Sequence, residues 1–383
     1  LGLVFQLGLL VAVKYAGFFF GAFIDLPKLH LPLGVSFYTF HAISYLVDVY
    51  RQKTPPQKNL LRLGLYLALF PKLVMGPIVP YHELEPALAQ RTIDAQDVSD
   101  GCFRFTIGLA KKALLADALA GLVTGIWGDL ASLTVLSAWL GLIGYALQLY
   151  FDFSGYSDMA IGLGRMLGFR FPENFRYPYL CSSISDFWRR WHISLGSWFK
   201  EYLYFPLGGS RTGTLRTLRN LLLVWLATGL WHGASWNYVL WGLYFGVLIC
   251  LEKLLAPRFR AHPRKGLLAG LYRPVCLLLA VLGWVLFRAE DLPAAGRYFA
   301  CLFGGAAGAS AQARLYLHDF WLVLLLGAVG ATPLCAKLAG RLGAKLRLGV
   351  RAAVQAVLVL ALLACSTVWL LNSSFQSFVY FQF

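Results

Sequence analysis

Acidic residues are scarce in this chain. Its 383 residues include 18 Asp and Glu against 34 Lys and Arg, and charge of either sign makes up only 14%. With 58% hydrophobic residues, so little charge excludes a soluble globular domain. The seven cysteines are scattered, with no C-x-x-C pair and no Cys/His spacing suited to zinc, so neither a disulfide framework nor a metal centre is expected. There is no G-x-S-x-G elbow, no internal repeat and no long polar linker, which points to one membrane domain over residues 1–383. The chain opens on Leu1 without a signal-peptide pattern, so its N-terminal part is expected to be missing.

What the sequence has instead is a series of apolar runs about 20 residues long, the length a helix needs to cross a bilayer. An all-α, polytopic membrane bundle of tilted and broken helices follows. The formal net charge of +16 would suggest nucleic acid in a soluble protein. Here the basic residues gather in short loops between apolar runs, as the positive-inside rule requires, and no nucleic-acid partner is needed.

A span is expected over 1–24, where Lys14 faces other helices or snorkels, while 32–50 is apolar but carries His41 and Asp48 and runs into the basic loop RQKTPPQKNLLR, a cytoplasmic candidate. Residues 60–79 are interrupted by Pro71, Gly76 and Pro77. Lys111 and Lys112 argue that 102–127 lies partly in the interface before crossing. Residues 135–150 span and lead into FDFSGYSDMAIGLGRMLGF, whose Gly162, Gly164 and Gly168 have the wrong spacing for a dinucleotide loop and suit close helix packing. Residues 170–220 form the longest stretch without a span and are basic, hence cytoplasmic. Within them SISDFWRRWHISLGSWFKEYLYF reads as one amphipathic helix along the membrane surface, starting near Ser183, with His192 on its apolar face. Further spans are expected over 275–287, 320–334 and 352–371. These place the aromatic tail, 372–383, outside.

The run from Leu221 to Leu251 carries one imidazole, His232. Twelve residues separate it from Asn220, about 18 Å of helix rise, past the middle of a core of about 30 Å. As one helix the whole run would measure about 48 Å, too long to cross without a break or strong tilt. Gly229, Gly233, Ala234 and Asn237 mark the easiest place for a break, so His232 should line a cavity there. The alternative is a buried imidazole bonded to a carbonyl or to Asn237.

Five segments resemble the membrane-bound O-acyltransferase family, in its bacterial alginate O-acetyltransferase branch: LPLGVSFYTFHAISYLVDVYR (31–51), LYFDFSGYSDMAIGLGRMLGF (149–169), PENFRYPYLCSSISDFWRRWHISLGSWFKEYLYFPLGGSR (172–211), TGLWHGASWNYVLWGLYFG (228–246) and the terminal FVYFQF. The resemblance implies that His232 is the catalytic histidine and His192 the second active-site position, with acetyl-CoA as a cytoplasmic donor and no metal. FVYFQF resembles a motif of the small peptide that accompanies teichoic-acid D-alanylation enzymes, where the tyrosine is a proposed acyl carrier. Here that residue is Tyr380, and an interfacial aromatic anchor is the alternative. Arg189, Arg190, Lys200, Arg211, Asn237 and Asp152 form the expected donor- and substrate-binding set, although lipid headgroups would account for the same basic charges.

The implied function is acetyl transfer across the inner membrane to an exported polysaccharide. Alginate comes first, with bacterial cellulose or peptidoglycan as alternatives. A periplasmic serine-dependent acetyltransferase-type protein and the polysaccharide synthesis and export machinery are the implied partners. A secondary transporter also has broken helices and midplane polar groups, but the poverty of acidic residues and of repeat symmetry weighs against it.

Overall fold

The computed structural model describes residues 1–20, 34–211, 213–261, 267–373 and 378. Among these every regular element is helical. In chain order they are α1 (Gly2–Phe20), α2 (Val35–Tyr50), α3 (Leu60–Ala68), α4 (Phe70–Leu73), α5 (Tyr81–Ala89), α6 (Ala95–Ala110), α7 (Asp117–Trp127), α8 (Val135–Met166), α9 (Ile184–Trp188), α10 (Ile193–Phe199), α11 (Thr214–His232), α12 (Trp236–Ala261), α13 (Leu267–Arg288), α14 (Leu292–Leu302), α15 (Ala311–Gly330), α16 (Leu334–Gly343) and α17 (Leu348–Asn372). Among the described residues six helices, α1, α8, α12, α13, α15 and α17, contain stretches long and apolar enough to cross a membrane. This is the expected all-α, multi-pass membrane protein.

The axis of the molecule is α8. Thr134 caps it through a reciprocal bond with Ser137, and its 32 residues make a rod of about 48 Å. Within its membrane-length window 78% of residues are buried, against 11% for α1 and α15 and 6% for α17. So α8 lies inside the bundle, and the other three present their apolar faces outward, where lipid is the fitting neighbour. FDFSGYSDMA, expected to follow a span ending at Tyr150, is the continuation of this helix, because α6 and α7 give it a second wall. Small residues make the approach possible. A Cβ on Gly108 would lie 2.5 Å from the carbonyl oxygen of Gly155, and one on Gly162 would lie 2.5 Å from that of Gly101.

Lys111 and Lys112 sit in a π-helical turn, Lys111–Ala116, joining α6 to α7, and both reach carboxylates of α8. Lys112 Nζ donates to Asp117 (2.7 Å) and lies 2.8 Å from Asp152. Lys111 Nζ donates to Asp158 (2.6 Å), which also holds Arg104. Pairing is what permits ionisable groups inside a membrane bundle.

Other boundaries shift for local reasons. The 60–79 stretch breaks at Leu69, whose backbone is extended between α3 and α4, so it forms no single span. The span assigned to 320–334 is α15, which starts at Ala311 because Ser310 caps it through the Ala313 N–H. The expected surface helix from Ser183 is in fact three pieces, α9, α10 and a π turn over Lys200–Tyr204. Its apolar residues Phe187, Trp191, Leu195, Trp198 and Phe199 are buried within the protein. They contribute to the cores built around α8 and α2, and so are not free to lie on a membrane surface.

Candidate active site

The break in the long apolar run falls where its small residues allowed it: α11 ends at His232, residues 233–235 are non-helical, and α12 begins at Trp236. Glycines bring the two arms into backbone contact. A Cβ on Gly229 would lie 2.3 Å from the Tyr238 carbonyl oxygen, and one on Gly242 would lie 2.4 Å from that of Trp225. His232 is thus the last helical residue before a tight hairpin. It is buried among aromatic rings, with centroids 4.9 Å away at Trp231 and at Trp241 and 5.1 Å away at Phe287.

His192 occupies the joint between α9 and α10, in a left-handed conformation (φ 45°). That backbone state is uncommon for a residue with a Cβ and persists only where surrounding contacts impose it. Asn174 imposes it. Its Oδ1 accepts from the Ser194 N–H (3.2 Å) and the Ser194 hydroxyl (2.9 Å) and stands 3.3 Å from His192 Nδ1, while its amide donates to Ser157 Oγ (3.1 Å). Because Oδ1 already accepts a backbone N–H, it is the acceptor end of the amide. The imidazole proton is therefore assigned to Nδ1, which leaves Nε2 as the basic nitrogen. Trp231 touches both histidines, its ring centroid 6.1 Å from that of His192 and 4.9 Å from that of His232.

A cavity of about 380 Å³ is lined by His192 together with Arg189, Lys200, Trp188, Trp225 and Thr228. The segment around α9 that supplies several of its lining residues is held by charge. Ser183 caps α9 through the Asp186 N–H (3.0 Å), and Asp186 accepts from Ser182 and pairs with Arg190 at 3.0 Å. Burial would raise the Asp186 carboxyl, but the Arg190 and Ser182 bonds hold it below the usual range. Glu252, near the far end of α12, accepts from the Ile184 N–H (2.7 Å), the Ser185 N–H (2.8 Å), the Ser185 hydroxyl (2.6 Å) and the Tyr272 hydroxyl (2.5 Å). The hairpin carrying His232 is thereby pinned to the segment carrying His192.

The residues expected at the site separate. His192, Arg189 and Lys200 line the cavity. His232 is not among the residues that line it, but its ring neighbour Trp231 also stands against His192. Arg190 is turned to Asp186, and Arg211 is exposed in the turn after Gly208. Asn237 donates to the Ala289 carbonyl (2.7 Å), which fixes α12 to the end of α13. Asp152 is committed to Lys112, away from the cavity. Tyr380 lies outside the described residues, while Phe378 sits on Lys112 (4.6 Å to its ring centroid) and against Tyr156 (5.1 Å). Sequence reasoning missed Asn174 and Glu252. Each carried one signal: a lone amide among prolines and aromatics, and a lone acid closing a 30-residue apolar run.

Two buried histidines, one at a helix break and one at a strained joint above a basic cavity, sit in a helical membrane fold. The chain belongs to the membrane-bound O-acyltransferase family, whose model matches residues 44–277. It is 48% identical over 277 residues to the probable alginate O-acetylase AlgI of Pseudomonas fluorescens, covering 71% of this chain and 54% of the relative. It is 45% identical over 314 residues to its namesake in Pseudomonas aeruginosa, covering 79% and 59%. Similarity extends to the peptidoglycan O-acetyltransferase of Helicobacter pylori, 37% over 331 residues, covering 77% and 62%. The chain spans little more than half the length of the alginate relatives.

Proposed function

We propose that the protein is an O-acetyltransferase of the bacterial inner membrane that passes an acetyl group from cytoplasmic acetyl-CoA toward an exported polysaccharide, alginate first. The observation that carries this reading is the cavity lined by Arg189, Lys200 and His192, with Trp231 against both His192 and His232. Two cations suit the phosphates of a CoA thioester, and the largely apolar interior suits an acetyl group.

His232 acts as general base. It takes the proton of an acceptor hydroxyl as the oxygen attacks the thioester carbonyl, the carbon–sulfur bond breaks, and the proton passes to the leaving thiolate to give CoA. His192, with its Nε2 an acceptor, orients the reacting groups from the donor side by accepting a hydrogen bond. The acceptor is either Tyr380, as a carrier on an external tail, or the next protein's hydroxyl directly. A periplasmic serine-dependent protein and the polysaccharide export machinery then complete the transfer. Peptidoglycan is the second acceptor reading, favoured by the similarity to the Helicobacter pylori enzyme.

The test is label transfer from [¹⁴C-acetyl]-CoA by purified full-length protein. We expect transfer or hydrolysis in the wild type and loss of at least 10³-fold in His232→Ala, a barrier change of roughly 4 kcal/mol. Solute uptake without label transfer would replace the enzyme reading with a transporter.

A further inference from the structure

Lys14 is the one cation of α1, and among the described residues it has no acidic partner. Instead its Nζ donates to the carbonyl oxygen of Trp231 at 2.6 Å and to Ser36 Oγ at 3.4 Å. The next residue, Tyr15, donates its hydroxyl to the carbonyl of Leu230 at 2.8 Å. A helix leaves its last four carbonyls without N–H partners. For α11, which ends at His232, these are the carbonyls of residues 229–232, and α1 supplies donors to two of them. In apolar surroundings such groups need a partner from the protein, and an ammonium is the fitting one, because the helix C-terminus is the negative end of the dipole. Lys14 and Tyr15 lie in a π-helical turn, Val11–Tyr15, a local distortion that recurs at functional sites.

An interaction that only anchored α1 would not need to fall here. Its two acceptors are the residues immediately before His232. Lys14 also stands 5.9 Å from the centre of the Trp231 ring, the ring that touches both histidines. The family match begins at residue 44, so α1 lies wholly outside it.

We propose that Lys14 is a positioning residue for His232: by holding the carbonyl of Trp231, with Tyr15 holding that of Leu230, it fixes the end of α11 and with it the place of the imidazole. This rests on the reading of His232 as general base. A side chain placed about 1 Å wrong costs on the order of 10²-fold in rate. Donor binding, which belongs to the cavity beyond Trp231, should be untouched.

The experiment uses the full chain in lipid nanodiscs, with acetyl-CoA turnover measured as kcat and donor KM for wild type, Lys14→Met, Lys14→Arg, Tyr15→Phe, His232→Ala and the Lys14→Met/His232→Ala double variant. We expect Lys14→Met to lose roughly 10- to 100-fold in kcat with KM within about twofold, since only the placement of the base changes. Lys14→Arg, which keeps a cationic donor, should recover most of that loss. The double variant should be no slower than His232→Ala alone, because both changes act through one group. If Lys14→Met does not insert, Tyr15→Phe makes the same test through Leu230, again as lower kcat at constant KM. Unchanged kcat in Lys14→Met, or an Arg variant as slow as Met, overturns the inference while an inactive His232→Ala leaves the base assignment standing. Activity retained in His232→Ala overturns both.

Discussion

Gly229→Ala is the sharpest probe of the broken helix. The added Cβ would meet the Tyr238 carbonyl oxygen at 2.3 Å and the Gly242 Cα at 3.2 Å, and both are backbone atoms with no rotamer to yield. An ordinary contact needs about 3.4 Å or more, so α11 and α12 must separate by about 1 Å at their crossing. His232 is three residues further along α11 and moves with it. Overpacking of this kind costs about 1–3 kcal/mol in stability, and a displacement near 1 Å costs on the order of 10²-fold in rate. The variant should therefore still be recovered from the membrane, with a lowered unfolding temperature and kcat reduced roughly 100-fold in the acetyl-CoA assay. Gly64→Ala is the control, because its Cβ would meet nothing within 4 Å. Gly229→Ala turning over within twofold of wild type would show that the hairpin contact does not govern the position of His232.

Glu252→Gln leaves one acceptor oxygen where four donors now converge. It should cost about 2 kcal/mol or more and raise the donor KM as α9 loosens, which thermal unfolding and steady-state kinetics would read. Glu201 is held below the usual carboxylate range, first by its bond to Lys53, with Arg51 beside it and burial opposing. Asp186 is depressed as well. Depressed folded values stabilise the fold above the ordinary carboxylate range, about pH 4, and that stability is lost as pH falls through the folded values. Unfolding temperature should thus fall below about pH 4, and Glu201→Gln should flatten the drop. Tyr380→Phe keeps the ring and removes the hydroxyl. Loss of an acetyl adduct and of polymer acetylation is expected by mass spectrometry, and normal activity would reduce the tail to an anchor.

How much of this was legible in the sequence depended on whether the information was local. The break near His232 could be read from three glycine and alanine positions and an asparagine, together with the arithmetic of helix rise, because chain length and bilayer thickness are both fixed. His232 and His192 stood out because imidazoles are rare in apolar runs. The joint at His192 could not be read, since periodicity carries a helix straight through it. What bends the chain there is Asn174, eighteen residues earlier. Lys111 and Lys112 misled for the same reason, since the partner of Lys111, Asp158, and one of the two partners of Lys112, Asp152, come from another helix some 40 or more residues on. Asp152 stood out because an acid at that depth is rare, and its carboxylate lies 2.8 Å from Lys112.

That pairing also bears on how the chain is made. A lysine, arginine or aspartate at the centre of a translocating helix costs roughly 2.5–3.5 kcal/mol, so neither the segment with Lys111 and Lys112 nor the one with Asp152 and Asp158 is a good passenger alone. Together they enter nearly neutral, interlocked at Gly101, Gly108, Gly155 and Gly162. Synthesis delivers the lysines first. The pairing predicts that the segment from Ala95 to Trp127 and the rod of α8 enter the membrane domain together, as one interlocked hairpin.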